Sequence, residues 1–380
     1  YNQTNAIAGE IIINDLNEGE SDEIELIVAA LNNADSQDQL NQVLEATLPD
    51  ASGGDVIAMF EASDIAFEVI THRLANLINH DGPKSAYHTQ NLSSLLTSSD
   101  NQQIANQLTQ DYHIWLQPYG SLIDQDETSE ISGFESKTYG IASGIDSRSL
   151  IDQTILGLAF TYAHTNYDAK GSNQLENEID SYQLIAYGKY NFSQKTYFDG
   201  IAAYGFHQNH SQRVPVDTVL AEAQYNAKQL SLRGELGHLV NYKNSVLTPN
   251  IFANWHYYDA ESYSETNLAV SPESVKRLDL GLGLDSKWSI DLANQARLEP
   301  SLSFDYSYDL VGDSAIMNTA FTGGGSTFVV EGPALDRNSV NIATSLSYIN
   351  KDWEFTAYYN LEARSDYLAS GAFLKASFNF

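Results

Sequence analysis

Cysteine is absent from the 380 residues, which excludes a disulfide scaffold, a cysteine nucleophile and any thiolate zinc site. Basic residues are scarce: 19 Lys and Arg stand against 50 Asp and Glu, a formal charge of −31. A field of that sign repels phosphate backbones, so the counterion-release route to nucleic acid is closed. There is no run of 18 apolar residues, and hence no transmembrane helix is expected. The opening YNQTNAIAGE lacks the basic, apolar and small-residue segments of a signal peptide. Two origins fit that start: a cytosolic protein, or a fragment whose signal lies upstream. Met (2) and Pro (8) are few, whereas Tyr is plentiful at 23 beside 15 Phe and 4 Trp. Only Tyr1, Phe60, Phe67 and Tyr87 of these aromatics precede Asp111, so the composition breaks there.

The first 111 residues carry 18 acids against Arg73 and Lys84. Glu23 to Leu31, Gln37 to Leu48 and Asp55 to Ile78 have the helical period. The third bears a wide apolar stripe that includes Val56, Phe60, Ile65, Val69, Ile70 and Leu74. Gly53-Gly54 and Asp81-Gly82-Pro83 bound it. The stripe needs an apolar partner, and the two shorter helices offer Leu26, Leu31, Leu40 and Val43. The expectation is a helical hairpin over 24–79. Residues 80–111 are dominated by Asn, Gln, Ser, Thr, Asp and His and read as a water-tolerant linker, with one polar helix from Asp100 to about Thr109.

From Ile114 onward the period is two. Leu278, Leu280, Leu282 and Leu284 alternate with Arg277, Asp279, Gly281, Gly283 and Asp285, and Leu302, Phe304 and Tyr306 with Ser301, Ser303 and Asp305. A soluble sandwich also alternates, but its strands average about five or six residues. Most runs here are longer and suit a tilted crossing of the hydrocarbon. The apolar face ends in rings such as Trp255, Tyr257, Tyr306, Tyr308 and Trp353, as an interfacial girdle would, and small residues such as Gly157 and Ala159 suit a crowded lumen. Twelve strands follow, at about 114–121, 136–147, 153–167, 179–192, 196–210, 224–241, 245–259, 274–289, 295–310, 338–350, 353–365 and 368–380. Their connections alternate long and short, apart from a short last loop. An even count closes the sheet without an edge, which lipid demands. The expected fold class is an all-β membrane protein: a twelve-stranded antiparallel transmembrane β-barrel preceded by a short α-helical segment and a pore-filling linker. By parity, Lys189, Asp199, Arg233, Glu235, Arg277, Asp279, Asp285, Arg297, Glu299, Asp305, Glu354, Glu362, Arg364 and Lys375 point into the lumen.

The chain ends on Phe380, with Phe378 on the same face of the last strand. A terminal aromatic of this kind resembles the assembly signal of outer-membrane barrels. Further stretches, among them WLQPYGS at 115–121, KTYGIASGID at 137–146, DSYQLIAYGKYNF at 180–192 and FTGGGSTFVVEGP at 321–333, resemble the C-terminal translocator domain of monomeric autotransporters, the type V secretion pathway. The resemblance covers about residues 24–380. It implies an outer-membrane translocator that helps export an upstream passenger to the cell surface and anchors it, with the linker left in the pore. On that basis 1–23 is the end of the passenger or disordered, 24–79 the helical hairpin or linker, 80–111 a pore-lining linker and 112–380 the barrel. Implied partners are the barrel assembly machinery, periplasmic chaperones, outer-membrane lipids with lipopolysaccharide, and the chain's own passenger. A monomer is expected, with no cofactor, no metal and no catalytic residue, and the reading frame upstream of Tyr1 is expected to encode a signal peptide and a β-rich passenger.

Which segment fills the pore is read from the residues. An apolar stripe among fourteen lumen charges would be stranded, so residues near 84–111 are expected in the lumen and the hairpin outside. Other features point to little chemistry. His207 and His210 face opposite sides of a strand, the run Asp124, Asp126, Glu127, Glu130 lacks the glycine of a calcium loop, and Gly323 to Gly325 precede no Lys-Ser/Thr. The pair Asn32-Asn33 is a candidate for self-cleavage by asparagine cyclisation, but it sits in the hairpin. No Ser/His/Asp cluster or Gly-x-Ser-x-Gly elbow stands out. Two other functions remain: a stand-alone outer-membrane diffusion pore or channel, and an outer-membrane surface hydrolase. A porin has no use for residues 1–111.

Overall fold

The structure is a computed structural model. It describes scattered residues between 29 and 49, the stretch 53–78, and 112–378 with short gaps at 128–132, 149, 171–174, 215–219, 266–267, 293–295, 323–325, 333–334 and 351–352. The polar linker 80–111 with its expected helix, residues 1–23, the glycines 323–325 and Phe380 lie outside the described residues.

Twelve strands form one closed antiparallel barrel. They are β1 (Tyr112–Gln125), β2 (Phe134–Ser147), β3 (Thr154–Ala169), β4 (Glu176–Asn191), β5 (Thr196–Arg213), β6 (Ala221–His238), β7 (Ser245–Ala260), β8 (Val275–Trp288), β9 (Arg297–Asp309), β10 (Asn338–Ile349), β11 (Trp353–Arg364) and β12 (Tyr367–Phe378). Each pairs with its sequence neighbours, and β12 returns to β1 to close the ring. The short pieces Val240–Tyr242 and Ile290–Asp291 extend two of the short-turn hairpins.

Alternation decides which face meets lipid. Along β8, Leu280, Leu282 and Leu284 are exposed on the outside while Arg277 and Asp279 are buried inside. The same inversion holds on β9, where Leu302, Phe304 and Tyr306 face out and Glu299 and Ser307 face in. The protein is apolar outside and polar within, as a bilayer demands. Outward rings mark both membrane faces: Trp288, Trp353, Tyr190 and Tyr242 near the short turns, and Tyr139, Tyr182, Tyr306 and Tyr308 near the long loops.

Strands β1 to β6 reach two to four residues further toward the long-loop side than the alternation indicates, because segments such as Asp124-Gln125 are polar on both faces there, whereas β7 to β12 end there within one residue of the expectation. The loops after β7 and β9, expected as plain connections, contain a four-stranded sheet. Its order is Phe328–Glu331, Ile316–Phe321, Leu268–Pro272, Tyr263–Ser264. Its runs are too short for a periodicity count to separate from loop.

One long helix, α1 (Gly54–Ile78), precedes the barrel and matches the expected span. Gly53, at φ 64°, makes the turn into it, and its carbonyl accepts the Ile57 N–H at 3.1 Å. At about 1.5 Å per residue, 25 residues cover about 37 Å, enough to cross the ~30 Å hydrocarbon core. Of the hairpin partners expected for the helix, Leu26, Leu31 and Leu40 lie outside the described residues. The helix runs through the barrel, with Val69, Ile70 and Leu74 fully buried in one cluster with Trp115, Ala142, Ile185 and Phe373 of the wall. The expectation that this helix sits outside is thus corrected. Its apolar stripe finds a partner because the inward charges are confined to part of the circumference.

Candidate functional site in the barrel lumen

The lumen has two unlike walls. Inward positions of β1 to β5 carry Trp115, Tyr119, Ala142, Ala159, Ala163 and Ala203, a surface of small residues and rings. On α1, Ala58, Ala62, Ala66 and Val69 share one face by their three- and four-residue spacing, and all are buried. Small residues on both sides let the helix backbone approach the wall closely.

The second wall holds the charges. Lys189 on β4 pairs with Asp199 on β5 at 2.9 Å, its ammonium 3.7 Å from the Tyr197 ring centre. On β6, Arg233 reaches Glu235 at 3.1 Å and donates to Asn254 at 3.1 Å. Arg277 pairs with Asp279 at 2.7 Å, and Arg364 bridges Glu362 at 2.8 Å and Asp279 at 3.6 Å. Toward the short turns, Glu299 takes both Lys287 at 2.7 Å and Arg297 at 2.8 Å, and Glu354 takes Lys375 at 2.8 Å. Asp285 accepts from Asn250 at 2.9 Å and, with Asp305, lines a cavity beside the helix. All fourteen charges read from parity lie on the inner side, concentrated from β6 to β11 with Lys189, Asp199 and Lys375 as outliers. A buried charge is retained only when paired and hydrogen-bonded, which explains why acids and bases alternate along this wall.

The helix is pinned by polar side chains that the sequence does not single out, most of them reaching this wall, with Gln183 of β4 and Asp146 of β2 holding it from the other side. Asp64 binds Arg277 and lies 3.1 Å from His256 Nε2. Tyr358 donates its hydroxyl to Glu68 at 2.8 Å, Tyr225 to Asp55 at 3.1 Å, and Gln183 and Gln229 each donate to Ser63 at 2.8 Å. At the far end Arg73 makes a two-pronged contact with Asp146, which also accepts Tyr187 Oη at 2.8 Å. Lys287 donates to Asn76 at 3.0 Å. These contacts fix the direction of threading. The N-terminus of α1 lies at the long-loop mouth, where Arg213 donates to the Ala46 carbonyl at 2.7 Å, and its C-terminus lies at the short-turn end.

Between α1 and the charged wall is a cavity of about 140 Å³, lined among others by Glu68, His72, Lys189, Arg233, Asp285 and Asp305. A smaller one of about 40 Å³ lies against Glu61, Asp64, Asp279 and Arg364. Their polar linings suit water.

Ser231, His256 and Asp64 form a chain, with Ser231 Oγ 2.9 Å from His256 Nδ1. The residue order does not reveal this chain, because Asp64 lies on α1 and meets the other two only inside the barrel. The order is that of a nucleophile, base and acid, but Ser231 is 1% exposed and accepts Gln229 at 2.9 Å beneath the helix, while His256 lies against Phe60 and Phe67. An acyl substrate has no approach to it, so the chain serves as a support for α1.

The remaining candidates are dispersed. His207 is fully buried and bonded to Ser181 at 2.9 Å, whereas His210 contacts Gln212. Asp124 pairs with Lys170 rather than with its acidic neighbours. Asn32 and Asn33 are exposed, with the Asn33 N–H on the Ala29 carbonyl at 3.0 Å, away from the buried lumen acids. Phe378 stands in register with Trp353 at the end of β12.

A family model described as the autotransporter beta-domain matches residues 114–360. Outer membrane protein B of Rickettsia typhi is 23% identical over 290 residues, which cover 71% of this chain and 17% of that protein. An extracellular serine protease of Serratia marcescens is 24% identical over 298 residues, 70% of this chain and 28% of that protein. The chain therefore spans under a third of the length of these two relatives. Among solved structures, the translocator domain of the autotransporter NalP from Neisseria meningitidis superposes with a TM-score of 0.58 at 14% identity, over 84% of this chain and 98% of that one. The transport unit of AIDA-I from Escherichia coli gives 0.51 at 12% identity, over 79% and 98%. With the twelve-stranded barrel, its inverted polarity and the single helix before it, the matches lead to one conclusion: the chain belongs to the autotransporter β-domain family, the outer-membrane translocator barrels of type V secretion.

Proposed function

We propose that this barrel helps carry a passenger encoded upstream to the cell surface and then anchors it, with α1 as the linker segment that stays in the lumen. The observation that carries this reading is the threading of α1, whose N-terminus lies at the long-loop mouth and whose C-terminus lies at the short-turn end. A chain preceding α1 would emerge on the outer side. The barrel's part is physical: paired charges and water along one wall solvate a passing polypeptide, and the helix afterwards occupies the route. Assembly by the barrel assembly machinery with periplasmic chaperones, contact with lipopolysaccharide, and action as a monomer complete the proposal. The polar linker 80–111 would then connect the periplasmic end of α1 to β1 rather than fill the pore.

A stand-alone diffusion pore fits less well, because a 25-residue helix pinned at both ends narrows the lumen. A surface hydrolase has no supporting constellation among the described residues. The test joins a reporter to the N-terminus behind a signal peptide and measures its exposure to external protease on whole cells. Export predicts surface cleavage that is lost when the barrel is truncated. A reporter that stays protected while the barrel reaches the membrane contradicts the proposal.

A further inference from the structure

The β12–β1 seam that closes the barrel differs from its neighbours. Its pairing runs only from Tyr119 opposite Phe373 to Gln125 opposite Tyr367. By contrast, β1 pairs with β2 along its whole length, and β11 pairs with β12 down to Trp353 opposite Phe378. Toward the periplasmic side of Tyr119, both closing strands thus have a registered neighbour on one side only among the described residues.

Pro118 marks the point where pairing stops. The Asp126 N–H donates to the Asp366 carbonyl at 2.9 Å, and the β1–β2 register contains no bulge. Even-numbered residues of β1 therefore direct their backbone groups toward β12. Pro118 is one of them and has no N–H to give. On the lipid side of the gap, Ile114, Leu116 and Leu374 are 60%, 65% and 67% exposed.

On the inner side, the rings of β1 turn away from the seam. Trp115 lies over Gly144 of β2, where an added Cβ would come within 2.7 Å of the ring, and Tyr119 lies over Gly140. Trp115 also donates its indole N–H to Tyr187 of β4 at 2.8 Å. Among the described residues, α1 covers the seam from within. The Arg73 guanidinium sits 5.2 Å from the Trp115 ring centre while it holds Asp146 of β2. One residue earlier, His72 meets Phe373 of β12 edge-on at 5.3 Å, and Phe373 is itself stacked on Tyr358 at 4.3 Å. Adjacent residues of one helical turn thus reach the two sides of the incomplete seam.

We infer that the last turns of α1 seal the periplasmic half of the β12–β1 seam, with His72 and Arg73 as positioning residues on its two sides. Displacing them opens a lateral path between the lumen and the bilayer. The helix in this role completes the wall, which is separate from narrowing the axial route. The physical reason is the lack of alternatives: lipid offers neither donors nor acceptors to unpaired strand edges, so a gap at this depth must be backed by protein.

The absence of cysteine makes the test clean. Nitroxide labels on the full chain in lipid nanodiscs at Leu116→Cys and Ala376→Cys report the gap, and labels at Leu158→Cys and Ala186→Cys, directly paired on β3 and β4, report an intact seam. In the His72→Ala, Arg73→Ala variant, sealing predicts that the 116–376 distance broadens and lengthens by at least one interstrand spacing, about 5 Å. The 158–186 distance stays fixed, and a lipid-borne quencher gains access to a fluorophore at the inward Gln117→Cys. His72→Phe with Arg73→Lys, which keeps a ring against Phe373 and a cation over Trp115, restores the parent distance. An unchanged 116–376 distance, or an equal change at 158–186, overturns the inference. Should the double variant fail to reach the folded, heat-modifiable form, His72→Ala and Arg73→Gln are each read alone by the same criteria.

Discussion

The two walls of the lumen hold the same helix by different physics. Against β1 to β5, small residues mostly meet small residues and the fit is chiefly one of shape, with Arg73 on Asp146 and Ser63 on Gln183 as its polar points. Against β6 to β11, Asp64, Glu68 and Ser63 reach across to Arg277, Tyr358 and Gln229, and polar cavities remain between the contacts. Close packing tolerates little change of volume, whereas a charged, hydrated wall tolerates changes of shape but not an unpaired charge. The difference teaches how one lumen can both hold a helix and leave polar room beside it.

The contrast can be broken by substitution, and the largest effect is expected at its centre. Arg277→Met leaves Asp64 and Asp279 buried without their shared partner, and a loss of about 3–5 kcal/mol is expected in urea unfolding followed by tryptophan fluorescence. A loss below about 1 kcal/mol would mean that water in the adjoining cavity solvates those carboxylates. On the apolar wall, Ala66→Leu adds three carbons where Ala66 is fully buried, and overpacking should cost about 1–3 kcal/mol in the same assay. The equivalent enlargement at Ser303, which lines the cavity, should cost less, so equal losses would erase the distinction between the walls. Tyr358→Phe removes the hydroxyl that binds Glu68 beside the cavity. Its cost should be about 1 kcal/mol, because water can take the vacated position. Smallest of all is Arg297→Gln, whose side chain is 37% exposed near the periplasmic rim. Less than about 1 kcal/mol is expected there, with sensitivity to salt that Arg277 should not show.

Much of this architecture is readable from residue order. Alternation locates all twelve strands to within a few residues, and the helical period locates α1 almost to its ends, because both depend on short-range spacing. The place of α1 is not encoded that way. Parity identifies which charges face inward but not that they gather on one side of the ring, and Ala142, Ala159, Ala163 and Ala203 look neutral in sequence although together they form the surface that accepts the stripe. The contact between Asp64 and Arg277 joins residues 213 positions apart, and Ser231, His256 and Asp64 meet only once the helix is threaded. Likewise Pro118 is an unremarked residue in an alternating run until the seam shows which neighbour its backbone faces.

The most direct measurement is the accessibility of a thiol at Val69→Cys in the full chain, folded in outer-membrane vesicles. With α1 between the two walls, a charged, membrane-impermeant maleimide should leave Cys at this position unlabelled until the barrel is denatured, while Leu150→Cys, 55% exposed at a periplasmic turn, labels readily once that side is accessible. Labelling at position 69 of folded protein at the rate seen for position 150 would contradict the placement of the helix in the lumen.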